Sequence, residues 1–218
     1  MTEKTAFDFE SMSSRDRYKI LTGTIVPRPI ALVTTVDLQG RVNAAPISFF
    51  NCLSSDPALL VLGIARQTDA SLSDTCRNIA DTGVFVVNVV SRAILQAMTI
   101  CAIPFPAGVD ELVKADLTAV ASDKIAAPRI AESPAAFECR RTLTFSVSPS
   151  REIILGEVVM AHVRAELIDE QLHTDQAGLD AVGRMGGATY AYTGDLVDLE
   201  TPSLEQWEVQ RPESRGVK

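Results

Sequence analysis

The sequence is short of the groups on which most familiar enzymes are built. It has two histidines, His162 and His173, and four cysteines, Cys52, Cys76, Cys101 and Cys139, with no Cys-x-x-Cys pair. Their wide spacing argues against zinc; reduced, mostly buried thiols and no metal site are expected. No Gly-x-Gly-x-x-Gly and no P-loop sequence occurs, so the two common phosphate cradles are absent. Gly-x-Ser-x-Gly and His-Glu-x-x-His are also missing, and two histidines leave few ways to build an acid–base triad. No apolar run reaches membrane-spanning length, and "MTEKTAFDFESMSSRDRYK" at the start holds no apolar signal core. A cytoplasmic protein that does not contact membranes is the resulting expectation.

What is present suits one substantial core. The chain has 218 residues, 46% of them hydrophobic, with a net charge of −8 and a pI near 4.8. No repeat or low-complexity linker divides it, so a single domain over 1–218 is expected, with a core at about 17–192 and a tail at 193–218. The acidic surface repels phosphate backbones, which disfavours nucleic acid. It leaves room for a small anion in a local pocket.

Strand signals dominate. "PIALVTTV" (residues 29–36), the turn "DLQG" and "RVNAAPIS" predict a hairpin over 29–48. Pro46 is expected to end its regular pairing, and "CLSSDP" reads as a loop. "ALLVLGIA" (58–65) predicts a strand buried on both faces, and "VFVVNVV" another strand. "SLSDTCRNIADTG" has helical spacing, with Ser71 or Ser73 as cap and Gly83 as stop. "SRAILQAMTICA" and "AGVDELVKA" predict shorter helices. "AAFECRRTLTFSV" and "EIILGEVVMAHVRAEL" predict two long strands, the second interrupted at Gly156. Strands and helices do not alternate regularly, which favours a closed or nearly closed antiparallel barrel over a doubly wound sheet.

The candidate chemistry is a set of hydroxyls, amides and arginines at strand ends. Thr34 and Thr35 end the first strand, and Ser48, Phe49, Phe50 and Asn51 the second. Ser73, Asp74, Thr75, Arg77 and Asn78 open a helix, where backbone N–H groups can hold a phosphate. Adjacent strand residues face opposite ways, so one of Phe49 and Phe50 is expected in the core and the other in a cleft. Among the cysteines only Cys76, beside Arg77, has a neighbour that favours a thiolate.

Five blocks occur in order: "YKILTGTIVPRPIALVTTVDLQGRVNAAPISFFN", "SDTCRNIADTGVFVVNVV", "APRIAESPAAFEC", "ILGEVVMAHV" and "GRMGGATYAY". Together they resemble the flavin-reductase-like FMN-binding split-barrel family, in the branch of flavoredoxin and of component B of nitrilotriacetate monooxygenase. The similarity spans about Arg17 to Tyr192. It implies a mainly β fold with flanking helices: a six-stranded antiparallel split β-barrel that binds FMN. It also implies a homodimer with FMN near the subunit interface. The implied activity is an FMN-dependent NAD(P)H oxidoreductase of the flavin reductase type. Free flavin, a small organic substrate, a monooxygenase or another electron-transfer partner would accept the electrons. The alternatives are a flavoredoxin-like carrier, an FMN enzyme reducing a nitroaromatic or similar substrate directly, and a non-catalytic flavin-binding protein.

The resemblance also assigns residues. Thr34 and Thr35 match the polar strand end that approaches the flavin, and Ser48, Phe49, Phe50 and Asn51 the segment that lines it. Ser73, Asp74, Thr75 and Asn78 match the helix start associated with the phosphate. Ser73 stands where the family usually has lysine, so Arg28 or Arg77 is expected to supply the charge. Leu32 stands where a tryptophan is frequent, and a looser hold on FMN follows. FMN carries the redox step, so no side chain is expected to be catalytic. His162 is a candidate neighbour of flavin or nicotinamide, against the plainer role of a strand histidine at the core's edge. Arg184 and Tyr190 fall on the substrate or partner-subunit side.

Overall fold

In the computed structural model, which describes residues 2–67 and 71–210, the chain begins with a helix absent from the expectations above. It is α1 (Ser14–Thr24), capped by the Ser13 hydroxyl, which accepts the Asp16 N–H at 3.2 Å. Only Thr22 of this helix is buried, so it carries no apolar stripe to betray it. There follow β1 (Arg28–Pro29), β2 (Ala31–Val36), β3 (Val42–Ile47), β4 (Phe50–Ser55) and β5 (Ala58–Ala65). Next come α2 (Asp74–Thr82), β6 (Val84–Val89), α3 (Leu95–Ile100), α4 (Glu111–Lys114), β7 (Ala119–Val120) and β8 (Arg129–Ile130). Two long strands, β9 (Ala135–Ser148) and β10 (Arg151–Val163), precede α5 (Gln176–Leu179), β11 (Val182–Arg184), β12 (Tyr190–Tyr192) and α6 (Leu204–Gln210).

Seven of the strands form one antiparallel ladder, in the order β3-β2-β6-β9-β10-β5-β4. Its two edges, β3 and β4, are separated in sequence only by Ser48 and Phe49. Three Cα steps span at most about 11 Å, so the sheet must curl until its edges meet at this corner. The result is a barrel split along the β3–β4 seam. The ladder is nearly closed and not fully closed, and it has seven strands where six were expected, because regular strand is interrupted at Ser48–Phe49 between β3 and β4. Phe49 already pairs with the far side: its carbonyl accepts the Gly63 N–H at 2.7 Å. A Cβ on Gly63 would lie 3.0 Å from the Phe49 Cβ, so glycine permits this crossing.

Two expectations fail at the same corner. Residues 52–55 of the expected loop are strand, part of β4; this half-exposed edge has a pattern that carries no alternation to announce it. Pro46 does not end pairing either, since it lies in register opposite Leu32. A residue without an N–H is tolerated on an edge strand where its nitrogen points away from the neighbouring strand. In β5 the inward Leu60, Leu62 and Ile64 are buried, while Leu59 and Val61 are half-buried, so only one face is fully covered.

The inward residues of the barrel, among them Val33, Leu62, Phe85, Val87 and Ile154, pack with Cys76 and Ile79 of α2. Helix α2 starts at Ser73 and stops at Gly83, which has the left-handed φ of 73° that glycine accommodates. On the outer side of β2 and β3, Leu32 and Ala44 pack against Met98 and Leu112 of α3 and α4. This outer layer builds one wall of the candidate site.

Candidate functional site

Edge strand β3 leaves one side of its backbone unpaired. The Ala44 N–H turns away from β2 and donates to Glu111 Oε2 at 2.9 Å. Along this free edge runs a groove. Its middle section, about 610 Å³, is lined by residues 43–46, the start of α2 at 73–75, the segment 101–105 and Glu111. Past Pro46 and Ala102 it opens into a recess of about 220 Å³ walled by Tyr18, Ile30, Ser48, Met98, Arg184 and Tyr190. At the other end, past Asn43 and Asp74, lies a recess of about 230 Å³ that includes Arg41 and Arg77. From Asn43 to Ser48 the strand rises by roughly 17 Å, enough for an extended mononucleotide-sized ligand.

The charge pattern is specific. Among the described residues lining the middle section, Asp74 and Glu111 are charged and no cation is present. Burial pushes the Glu111 carboxyl above its ordinary range; the Ala44 N–H opposes this, and Asp110 and Asp74 add to it. Asp74 is paired with Arg77 at 2.6 Å, which ties that guanidinium to the helix start. Ser73 caps α2 by accepting the Cys76 N–H at 3.4 Å, leaving the first-turn amides of Asp74 and Thr75 at the groove's middle section. Asn43 donates to the Thr75 hydroxyl at 3.0 Å, and Asn78 to the Thr35 hydroxyl at 3.0 Å. These bonds latch α2 onto β2 and β3 and fix the angle at which the helix meets the groove.

The structure thus brings Ser48, Arg184 and Tyr190 together at one end of the groove and Ser73, Asp74 and Thr75 in its middle section, all within one chain. Arg184 donates to the Tyr190 hydroxyl and the Gly187 carbonyl, and its guanidinium lies 4.5 Å from the Tyr190 ring centroid. Phe50 packs towards the barrel interior. Phe49 faces outward between Tyr18, at 6.2 Å, and Arg151, at 5.1 Å. Asn51 is exposed on β4 and accepts the Cys52 N–H.

Other candidates lie elsewhere. Thr34 is fully buried on the opposite face of β2 from Thr35; its hydroxyl donates to the Pro128 carbonyl and accepts from Asn88. Arg28 is 7% exposed, and its guanidinium donates to the carbonyls of Thr22, Ile25 and Met185. It ties the end of α1 to the β11 region and supplies no charge to the groove. His162 lies on a separate cleft with Arg129 and Arg164, and its Nε2 is 2.7 Å from Glu138 Oε1. Cys76 is buried, and burial raises its thiol instead of Arg77 lowering it; Cys101 and Cys139 are pushed up to about 12 for the same reason. Glu111, Asn43, Tyr18 and Met98 were not legible as site residues. Each looks locally like an ordinary helix or strand residue, and only the fold places it on the seam.

Fold and groove together define a split-barrel protein with a ligand-sized cleft on its open seam. The chain belongs to the flavin reductase like domain family, whose model matches residues 22–183. A relative in Deinococcus radiodurans is 38% identical over 213 residues, covering 94% of this chain and 93% of its own. Among solved structures, 2-nitrobenzoate 2-nitroreductase of Pseudomonas fluorescens superposes with a TM-score of 0.85 at 34% identity, over 92% of this chain and 98% of that one. Nitrilotriacetate monooxygenase component B of Bacillus cereus gives 0.86 at 30%, over 91% and 100%.

Proposed function

We propose that this protein is an FMN-dependent oxidoreductase of the NAD(P)H:flavin reductase type. The observation that carries the proposal is the groove along the free backbone edge of β3, with helix-start amides on its middle section and an aromatic recess at one end. The residues present fit FMN. The first-turn amides of Asp74 and Thr75 would take the phosphate, and the Ser48 hydroxyl with the exposed edge of β3 would line the ring. Bound FMN would supply the redox chemistry, accepting hydride from a nicotinamide at N5. The chain's own part is to orient the ring and exclude water. Tyr18, Ile30 and Met98 give the recess its apolar walls, and Arg184 places a fixed positive charge at its rim.

The carboxylates beside the phosphate end favour a loosely held flavin that exchanges, as a flavin reductase requires. A homodimer belongs to the same proposal: Leu143, Phe145 and Val147 form an exposed apolar row on β9 suited to a second copy. A second possibility is direct reduction of a small aromatic acid. Arg184 facing apolar and aromatic walls can hold a carboxylate next to a ring, and one similar structure is a 2-nitrobenzoate nitroreductase.

Anaerobic stopped-flow mixing of FMN-loaded protein with NADH and with NADPH tests the proposal. Rapid bleaching of the flavin band, with electrons passed to free flavin, is expected. Reduction by a protein donor alone would replace it with an electron carrier. Turnover of 2-nitrobenzoate at a comparable rate would favour the second possibility. Protein that binds no flavin would end both.

A further inference from the structure

A second cleft lies where the end of β10 meets the connection from β8 to β9. It holds about 430 Å³ and shares no lining residue with the groove along β3. Its charge is unusual in a chain of net charge −8. Among the described residues that line it, Arg129, His162 and Arg164 are the ionisable ones, and no carboxylate is among them.

Each guanidinium is anchored through one nitrogen. Arg129 Nη2 donates to the Ala121 carbonyl at 2.9 Å, and Arg164 Nη2 to the Glu132 carbonyl at 2.7 Å. Arg129 Nε is buried and has no hydrogen-bond partner, since Glu138 Oε1 lies 4.0 Å away, beyond reach. Glu138 is already supplied by the Asp123 and Lys124 N–H groups and by His162 Nε2. A buried donor without an acceptor is costly, and it marks a place where an acceptor belongs. The segment that carries Arg129 is fixed before any ligand arrives. The Pro128 carbonyl accepts the Thr34 hydroxyl, and the Ile130 N–H donates to Asn88 Oδ1 at 2.8 Å. Donors held in this way bind at a smaller cost in entropy.

The remaining walls are apolar, with Ile130, Pro134, Ala136 and Val163 among them. Guanidinium N–H groups match the two oxygens of a carboxylate. Apolar walls suit a hydrocarbon body attached to it and leave bare phosphate poorly solvated. A metal ion does not fit. Ligand atoms of Asp123, Glu138 and His162 lie within 4.8 Å of one another, but Arg129 stands 4.0 Å from the same Glu138 oxygen and repels a cation.

We propose that this cleft binds a small carboxylic acid with an apolar body, its carboxylate held by Arg129 and Arg164 and its body resting on Ile130, Pro134 and Val163. The site is distinct from the recess at Arg184, and it stands or falls independently of the flavin reading.

His162 and His173 are the only histidines, so two imidazoles report on binding. His173 is exposed and does not line the cleft. Proton–nitrogen correlation spectra of the histidine rings are recorded on the full chain during titration with sodium benzoate, acetate, phosphate and chloride. The variant His173→Gln assigns the signals. Benzoate should shift the His162 signals saturably and leave those of His173 in place. Acetate, which lacks the apolar body, should bind about tenfold more weakly. Arg129→Gln and Arg164→Gln should each weaken benzoate by about tenfold, with circular dichroism confirming that each is folded. If Arg129→Gln does not fold, Arg164, exposed beyond the end of β10, carries the test. The site is overturned by a His162 response that is absent, does not saturate, is matched by chloride or persists unchanged in Arg164→Gln. Phosphate that binds more tightly than benzoate overturns the carboxylic acid class.

Discussion

Glu111 is the residue that most changes the account of the groove. Its carboxylate accepts the Ala44 N–H on the free edge of β3, where a ligand would lie, and it shares the middle section with Asp74. A raised carboxyl pKa means the neutral form persists to higher pH than in the unfolded chain. The stability linked to Glu111 is therefore present at low pH and is lost as pH rises through the folded pKa. Affinity for an anionic flavin should fall over the same window, because ionisation adds a like charge. Glu111→Gln retains an acceptor for Ala44 and removes that charge. It should tighten FMN by about tenfold at neutral pH, the equivalent of ~1.4 kcal/mol, and flatten the pH dependence. Fluorescence titration of FMN at several pH values checks both.

At the scale of elements, two contacts hold the walls in place. Glu138, fully buried on β9, accepts the N–H groups of Asp123 and Lys124 at 2.8 and 2.7 Å and the His162 imidazole. Burial pushes its carboxyl up, but these donors outweigh it and hold the group below the ordinary glutamate range. Its contribution is present above the unfolded pKa and lost as pH falls through the folded one. Glu138→Ala removes the acceptor shared by these three donors and should cost about 2 kcal/mol in urea unfolding, with a weaker acid transition. The second contact is at Gly156 in β10, where the register shifts because β9 carries an extra residue, Thr142. A Cβ there would lie 2.7 Å from Cε1 of the fully buried Phe85 and closer still to Cζ. Gly156→Ala should therefore destabilise the barrel by about 2 kcal/mol, read as a lower urea midpoint with unchanged slope.

At the scale of the whole molecule, the net charge of −8 opposes the approach of any phosphate ligand. On the proposed reading, the helix amides and the recess would bind FMN despite that field, not because of it. Salt screens the repulsion between exposed charges over about 10 Å at 0.1 M. FMN affinity should therefore rise by a few-fold between 50 mM and 0.5 M sodium chloride; equilibrium titration would show it, and a fall would mean that a cation dominates the phosphate end. No described helix is long and apolar enough to cross a membrane.

The sequence by itself determined the strands with strong β-branched runs, the α2 stop at Gly83 with its start at Ser71 or Ser73, and the family to which the blocks belong. These are local matters: composition, capping and ordered motifs act within a few residues. It could not show α1 or β4, whose patterns lack a buried face, nor the split seam. That seam follows from seven strands curling until Ile47 and Phe50 lie a corner apart. Thr34 and Thr35 are neighbours in sequence with equal claims on a ligand. Strand alternation and the packing of Pro128 sent one into the core and left the other to latch α2. Glu111, Tyr18 and Arg184 lie far apart along the chain, and only tertiary structure, by closing distances that no local pattern encodes, made them one groove.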